Sequence, residues 1–357
     1  MFRVDPGQTV LMELKEKKGR DLWKAQLLDD PSPVARIRAA EHFGESKKGG
    51  DRKLLAKALK QEKFWGVQAE IAEALKESGG DIARDALIAG LQFENHKARR
   101  ACVAALDSFH RDALAIDAVR PMVINGDPSY RVESAAIRTF ASLEPDDGLY
   151  VLKQVLVRDS RREVIRNAAL SGLGRLRDVE VVPILAEWTR PDKPRLCRPT
   201  AIRTLASVTN RMHIDEPTLL GIVDTLTDSL SDTGRRVRGA AVSALGAISE
   251  PALAKSALAA LEALAANDPE RRVRRSAERS IKAIQEGKPA QVQMAELRDD
   301  LKDALERNDD FAERLDKLEG LLEQYGEEED SPAGDEADAR DDAAAANSTP
   351  SGLLIPE

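Results

Sequence analysis

The stretch "VRGAAVSAL" (237–245) places Val237, Ala241 and Leu245 at steps of four. On an α-helix those three positions form one stripe. The stripe is apolar at both ends and small in the middle, so a neighbouring helix can approach closely at Ala241. The same register appears in "ARIRAAEHF" (35–43), "VQAEIAEAL" (67–75), "ARRACVAAL" (98–106) and "VESAAIRTF" (132–140). It appears again in "IRNAALSGL" (165–173), "CRPTAIRTL" (197–205) and "VRRSAERSI" (273–281). Start-to-start spacings are 32, 31, 34, 33, 32, 40 and 36 residues. The ninth position is always large and apolar, and the fifth is small in every unit except at Ile71.

Each stripe is preceded by a second amphipathic segment, as in "DRKLLAKALKQ" (51–61) and "DIARDALIAGLQ" (81–92). Each unit is therefore a helical hairpin too small to bury its own apolar face, and stacking supplies the core. The expected fold is all-α, a solenoid of about eight hairpins over residues 20–287.

The second register position is Arg in six units: Arg36, Arg99, Arg166, Arg198, Arg238 and Arg274. An Asp stands six residues before several second positions: Asp30, Asp127 (whose paired position is Glu133), Asp192, Asp232 and Asp268. Such an Asp lies in the turn, where it can cap the second helix or accept from an Arg of a neighbouring unit. The Asp-turn-Val-Arg pattern resembles HEAT repeats, and that resemblance implies an Asp–Arg ladder along the stack. Gln68 and Asn95 depart from it.

Composition agrees with thin stacked helices: 42% of residues are hydrophobic but only 4% aromatic. No run of 18 apolar residues exists to span a membrane. The chain carries a net charge of −8, but residues 326–357 hold ten acids and one Arg, leaving +1 on the rest. That near-neutral body and the scarcity of aromatics argue against nucleic acid, despite "RRVR" (235–238) and "RRVRR" (271–275). Cys102 and Cys197 fall on inward stripe positions and read as buried small residues in a reducing, cytoplasmic setting. His42, His96, His110 and His213 are scattered, so no metal or cofactor is expected of this chain.

The two ends read differently. "FRVDPGQTVLMEL" (2–14) reads as a strand after an Asp-Pro-Gly turn, placed in a segment over 1–19. With "RDLWKAQLLDDPSPVARIRAA" (20–40) and "FWGVQAEIAEAL" (64–75), it resembles the junction of M1-family zinc aminopeptidases, where a β-sandwich domain meets a helical domain. The resemblance implies a non-catalytic module that shapes substrate access, with zinc held only in a catalytic domain outside this chain. The chain has no HExxH and no catalytic residue to carry over, so enzymatic activity is an open expectation. The alternative is a stand-alone scaffold that binds a protein or peptide partner. A third reading resembles HEAT-like bilin lyases and rests on the repeat alone.

Residues 291–325 repeat apolar positions by three and four, with Asn308 at an a position of the heptad. This segment is expected either to form a homodimer or to fold back as a cap. Residues 326–357 are acidic and poor in bulky apolar groups, which reads as a disordered tail.

Overall fold

The computed structural model describes residues 16–287, and these form sixteen α-helices in eight consecutive hairpins, with no strand among the described residues. Of the segment 1–19, the strand expected over 2–14 falls wholly outside them, as do the heptad segment with Asn308 and the acidic tail.

The pairs, in order, are α1 (Arg20–Asp29) with α2 (Pro33–Gly44), α3 (Gly49–Gln61) with α4 (Trp65–Ser78), and α5 (Asp81–Gly90) with α6 (His96–Ala105). Then come α7 (Ala113–Ile124) with α8 (Tyr130–Ser142), α9 (Gly148–Leu156) with α10 (Val164–Leu173), and α11 (Val181–Glu187) with α12 (Arg198–Thr209). The last are α13 (Glu216–Asp228) with α14 (Arg235–Leu245), and α15 (Leu258–Asn267) with α16 (Arg271–Glu286). Helix starts follow local chemistry. Asn95 and Asp112 accept from the backbone N–H of Lys97 and Ala115 at 2.9 and 3.0 Å, capping α6 and α7.

The second helices, α2 through α16, form a continuous layer in which each packs on the next, and the first helices cover one side of it. The small fifth-position residues Ala39, Cys102, Ala136, Ala169, Ala201, Ala241 and Ala277 are all fully buried, as is Ile71. The ninth-position residues from Phe43 to Leu245 are buried too, while Ile281 of the last unit is only half-buried. One core thus runs the length of the described array.

The close approach of second helices is concentrated at one further position. A Cβ at Gly246 would lie 2.6 Å from Ser280 Oγ and 3.0 Å from its Cα. At Gly174 it would lie 2.3 Å from a methyl of Thr204, and at Gly44 2.9 Å from the Cα of Ala74. Glycine stands where the next helix leaves no room for a side chain. The contact is reinforced by hydroxyls: Ser280 donates to the Val242 carbonyl at 2.8 Å and Thr139 to that of Val103 at 3.0 Å, both buried. Each hydroxyl binds the preceding second helix.

Candidate protein-binding face

The turn acids are used in two directions at once. Asp127, Asp232 and Asp268 each accept a hydrogen bond from a backbone N–H two residues on: Ser129, Gly234 and Glu270, at 2.7, 2.7 and 2.8 Å. The same carboxylates receive the Arg of the preceding unit. Arg99 donates to Asp127 at 2.8 and 3.0 Å, and Arg238 to Asp268 at 2.7 and 3.1 Å. Arg198 pairs with Asp232, both side chains being 8% exposed. Arg99 and Arg238 also spend an N–H on their own turns, on the Phe93 carbonyl at 2.5 Å and on that of Asp232 at 2.9 Å, and Arg274 of the last unit does the same with that of Asp268 at 2.6 Å. The guanidinium fork thus ties its own turn to the next one.

Several positions depart from this scheme. Arg36 binds the Asp30 carbonyl at 2.7 Å, and its partner across the junction is Glu62, at 2.7 and 3.1 Å. Asp30 accepts from the Ser32 N–H at 2.8 Å. Between units four and five the polarity reverses, Arg158 of the later turn donating to Glu133 of α8 at 2.7 Å. Arg166 stays within its own unit, with Glu163 at 2.6 Å and Asp159. Asp192 is exposed and pairs with Arg190 at 3.2 Å. The turn between Glu187 and Arg198 is longer than the others, so Arg198 takes the Thr189 carbonyl at 2.9 Å and Asp192 stands clear.

Burial and bonding set the acidity of these groups. The Arg238 hydrogen bond holds the Asp268 carboxyl below its ordinary range, against the opposing effect of burial. Burial pushes Glu62 up, but hydrogen bonds from Arg36 and from the Phe64 N–H outweigh it and leave it low. Burial pushes both thiols, Cys102 and Cys197, up to about 12. Among the described residues no group of three His, Cys, Asp or Glu is placed to hold a metal ion, and no helix is long and apolar enough to cross a membrane.

With the ladder arginines committed to structure, the charges that face solvent from the second helices are a separate set. In units one and two they are mainly acidic: Glu41, Glu45, Glu70, Glu73 and Glu77, all exposed, beside Arg38 and Lys76. Partial desolvation and the neighbouring Glu70 raise the Glu41 carboxyl, with smaller pushes from Glu77 and Glu45 and a pull from Arg38 in the other direction. From unit three onward the same face is cationic: Arg100, Arg138, Arg175, Arg203, Arg236, Arg272 and Arg279. Desolvation and then Arg175 and Arg100 pull Arg138 below the usual guanidinium value, and desolvation and Arg211 do the same to Arg175. Like charges are held close together here.

Of these face residues only Arg236 and Arg272 stand out in the sequence, inside the clusters "RRVR" (235–238) and "RRVRR" (271–275); the others are visible only in the register. The seventh position reads Glu41, Glu73, Ala104, Arg138, Ser171, Arg203, Ser243, Arg279. That column changes sign along the array.

A family model for HEAT repeats matches residues 21–107, 116–206 and 192–282. The chain is a HEAT-repeat protein. Among curated proteins none matches it. Solved structures to which this HEAT-repeat chain is similar include human deoxyhypusine hydroxylase in complex with glycerol, at 23% identity over 74% of this chain and 96% of that one, with a TM-score of 0.33. The complex of CpcE and CpcF of phycocyanin lyase from Nostoc sp. PCC7120 matches at 17% identity over 78% of this chain and 98% of that one, with a TM-score of 0.41. The karyopherin Kap121p bound to the extreme C-terminus of the protein phosphatase Cdc14p matches at 17% identity over 79% of this chain and 34% of that one, with a TM-score of 0.44. These likenesses concern the helical repeat and carry no argument about activity.

Proposed function

We propose that this HEAT-repeat protein is a scaffold that holds a protein partner across the solvent face of its second helices. The observation that carries this reading is the separation of charge on that face. Acidic groups gather on units one and two, and on the later units stand arginines that make no ion pair among the described residues, apart from the arginines that brace the turns. Like charges held together destabilise the free molecule, and a complementary surface relieves the repulsion. An extended array also offers a long surface without needing a deep cavity.

The module of an M1 zinc aminopeptidase, suggested by the opening stretch, is the weaker reading. Residues 2–14, which carry its strand, lie wholly outside the described residues. The matching family model is that of HEAT repeats, and the likenesses to a hydroxylase, a lyase and a karyopherin give it no support.

The test is co-purification from the source cells with three forms of the chain. One carries Glu73→Lys and Arg203→Glu on the second-helix face. Another carries Lys57→Glu and Asp224→Lys on the first helices, and the third is unchanged. A partner retained by the unchanged chain and the first-helix variant, and lost from the second-helix variant, is the expected result. Equal retention by both variants contradicts the proposal.

A further inference from the structure

The cationic half of the second-helix face deepens into a groove over the last three units. It has a volume of about 940 Å³ and is lined by Arg195, Arg203, Arg235 and Arg236, with the exposed Leu196 beside them. A second depression of about 450 Å³ shares Arg235 and Arg236 with it and adds Arg271, Arg272 and Arg279. Among the described residues, Arg195, Arg203, Arg236, Arg271 and Arg272 make no ion pair, and Arg235 has only a long contact of 3.4 Å to the exposed Glu270. Five or more guanidinium groups thus face one trough with a single carboxylate among them.

We propose that this groove binds an acidic segment of a partner protein in extended form. The inference rests on the scaffold reading and specifies the chemistry of its partner. Arginine presents a planar fork that a carboxylate fills with two hydrogen bonds, which a lysine row would not offer. Packed helices lie about 8–10 Å apart. A chain extended as polyproline II rises about 3.1 Å per residue with three residues per turn, so every third side chain returns to the same face after about 9 Å and meets the arginines of the next unit. Leu196, 37% exposed, supplies apolar surface for the residues between. Nucleic acid fits less well, because no aromatic side chain lines either depression for a base to stack on. Glu270 would also face the phosphates, whereas it can accept a peptide N–H.

The test uses the full chain and fluorescence anisotropy. The probe is a labelled 15-residue peptide with Glu at every third position among Ser and Gly. A matching Lys peptide and a 15-nucleotide single-stranded DNA serve as comparisons. The acidic peptide is expected to bind, more weakly as salt rises, and the Lys peptide not to bind. Arg236→Glu with Arg272→Glu should weaken binding at least tenfold. Lys57→Glu with Lys153→Glu changes the net charge equally on the first helices and should leave it within twofold. Arg203→Gln with Arg279→Gln replaces the first variant if its melting temperature shows misfolding. No binding of the acidic peptide, tighter binding of the DNA, or equal loss in both charge variants overturns the proposal. If the acidic peptide fails while co-purification is still lost from the Glu73→Lys, Arg203→Glu variant, the scaffold stands and the acidic partner falls.

Discussion

Arg238 of α14 grips Asp268 with two hydrogen bonds, 2.7 and 3.1 Å long, across the junction between units seven and eight. The Asp268 side chain is 1% exposed, and it also accepts the Glu270 N–H at 2.8 Å. One carboxylate therefore shapes its own turn and fastens the unit before it. Where units meet mainly through apolar stripes, this bond fixes their register, because an ion pair with two-point geometry tolerates little sliding.

Removing one partner of such a pair leaves a buried charge uncompensated. Arg238→Ala is expected to cost about 3 kcal/mol of stability. Arg235→Ala removes the exposed contact with Glu270 and should cost under about 1 kcal/mol. Urea denaturation followed by circular dichroism measures both. Similar losses in the two variants would mean that the junction does not depend on the buried rung.

The reversed rung makes a sharper case. Glu133→Arg alone should destabilise the junction of units four and five by bringing a second cation to Arg158. Adding Arg158→Glu should restore most of the loss, because the pair is then re-formed with the polarity found elsewhere. A double-mutant cycle of melting temperatures checks this, and simple additivity would contradict it.

The same carboxylates make the array acid-sensitive. Asp268 and Glu62 are stronger acids folded than unfolded, so the stability they contribute is complete above their unfolded values, about 4. It is lost as pH falls through the lower folded values. Urea midpoints should therefore fall as pH is lowered below about 4, and Asp268→Asn should flatten that fall. An unchanged slope in the variant would show that Asp268 contributes nothing to it.

Glycine positions divide into those that matter and those that do not. Gly246→Val drives a side chain into Ser280 and should cost about 2 kcal/mol. Gly221, in the exposed part of α13, has nothing within 4 Å of a Cβ, and Gly221→Ala should stabilise by about 0.5–1 kcal/mol. Thermal melts of the two variants should move in opposite directions.

The helical array was legible because its signal is local. Val237, Ala241 and Leu245 declare their shared face within nine residues, and the small centre declares the close packing. The bonds between units were less legible, since they join residues about thirty apart. Glu62 can stand in for an Asp, Glu133 and Arg158 can exchange signs, and a longer turn can leave Asp192 in solvent with Arg190. The sided charge was hidden for another reason. A net charge near +1 averages Glu41 and Glu73 with Arg138, Arg203 and Arg279, and only reading one register position down all eight units separates them.

The most direct measurement is photocrosslinking from single positions in the source cells. A photoreactive residue is placed at Ser171 or Ser243 on the second-helix face, or at Lys153 or Asp224 on the first helices. A discrete adduct with the same protein from Ser171 and Ser243, absent from Lys153 and Asp224, is the result predicted for a partner held across the second-helix face. Adducts from Lys153 and Asp224 alone, or equally from all four positions, would contradict it.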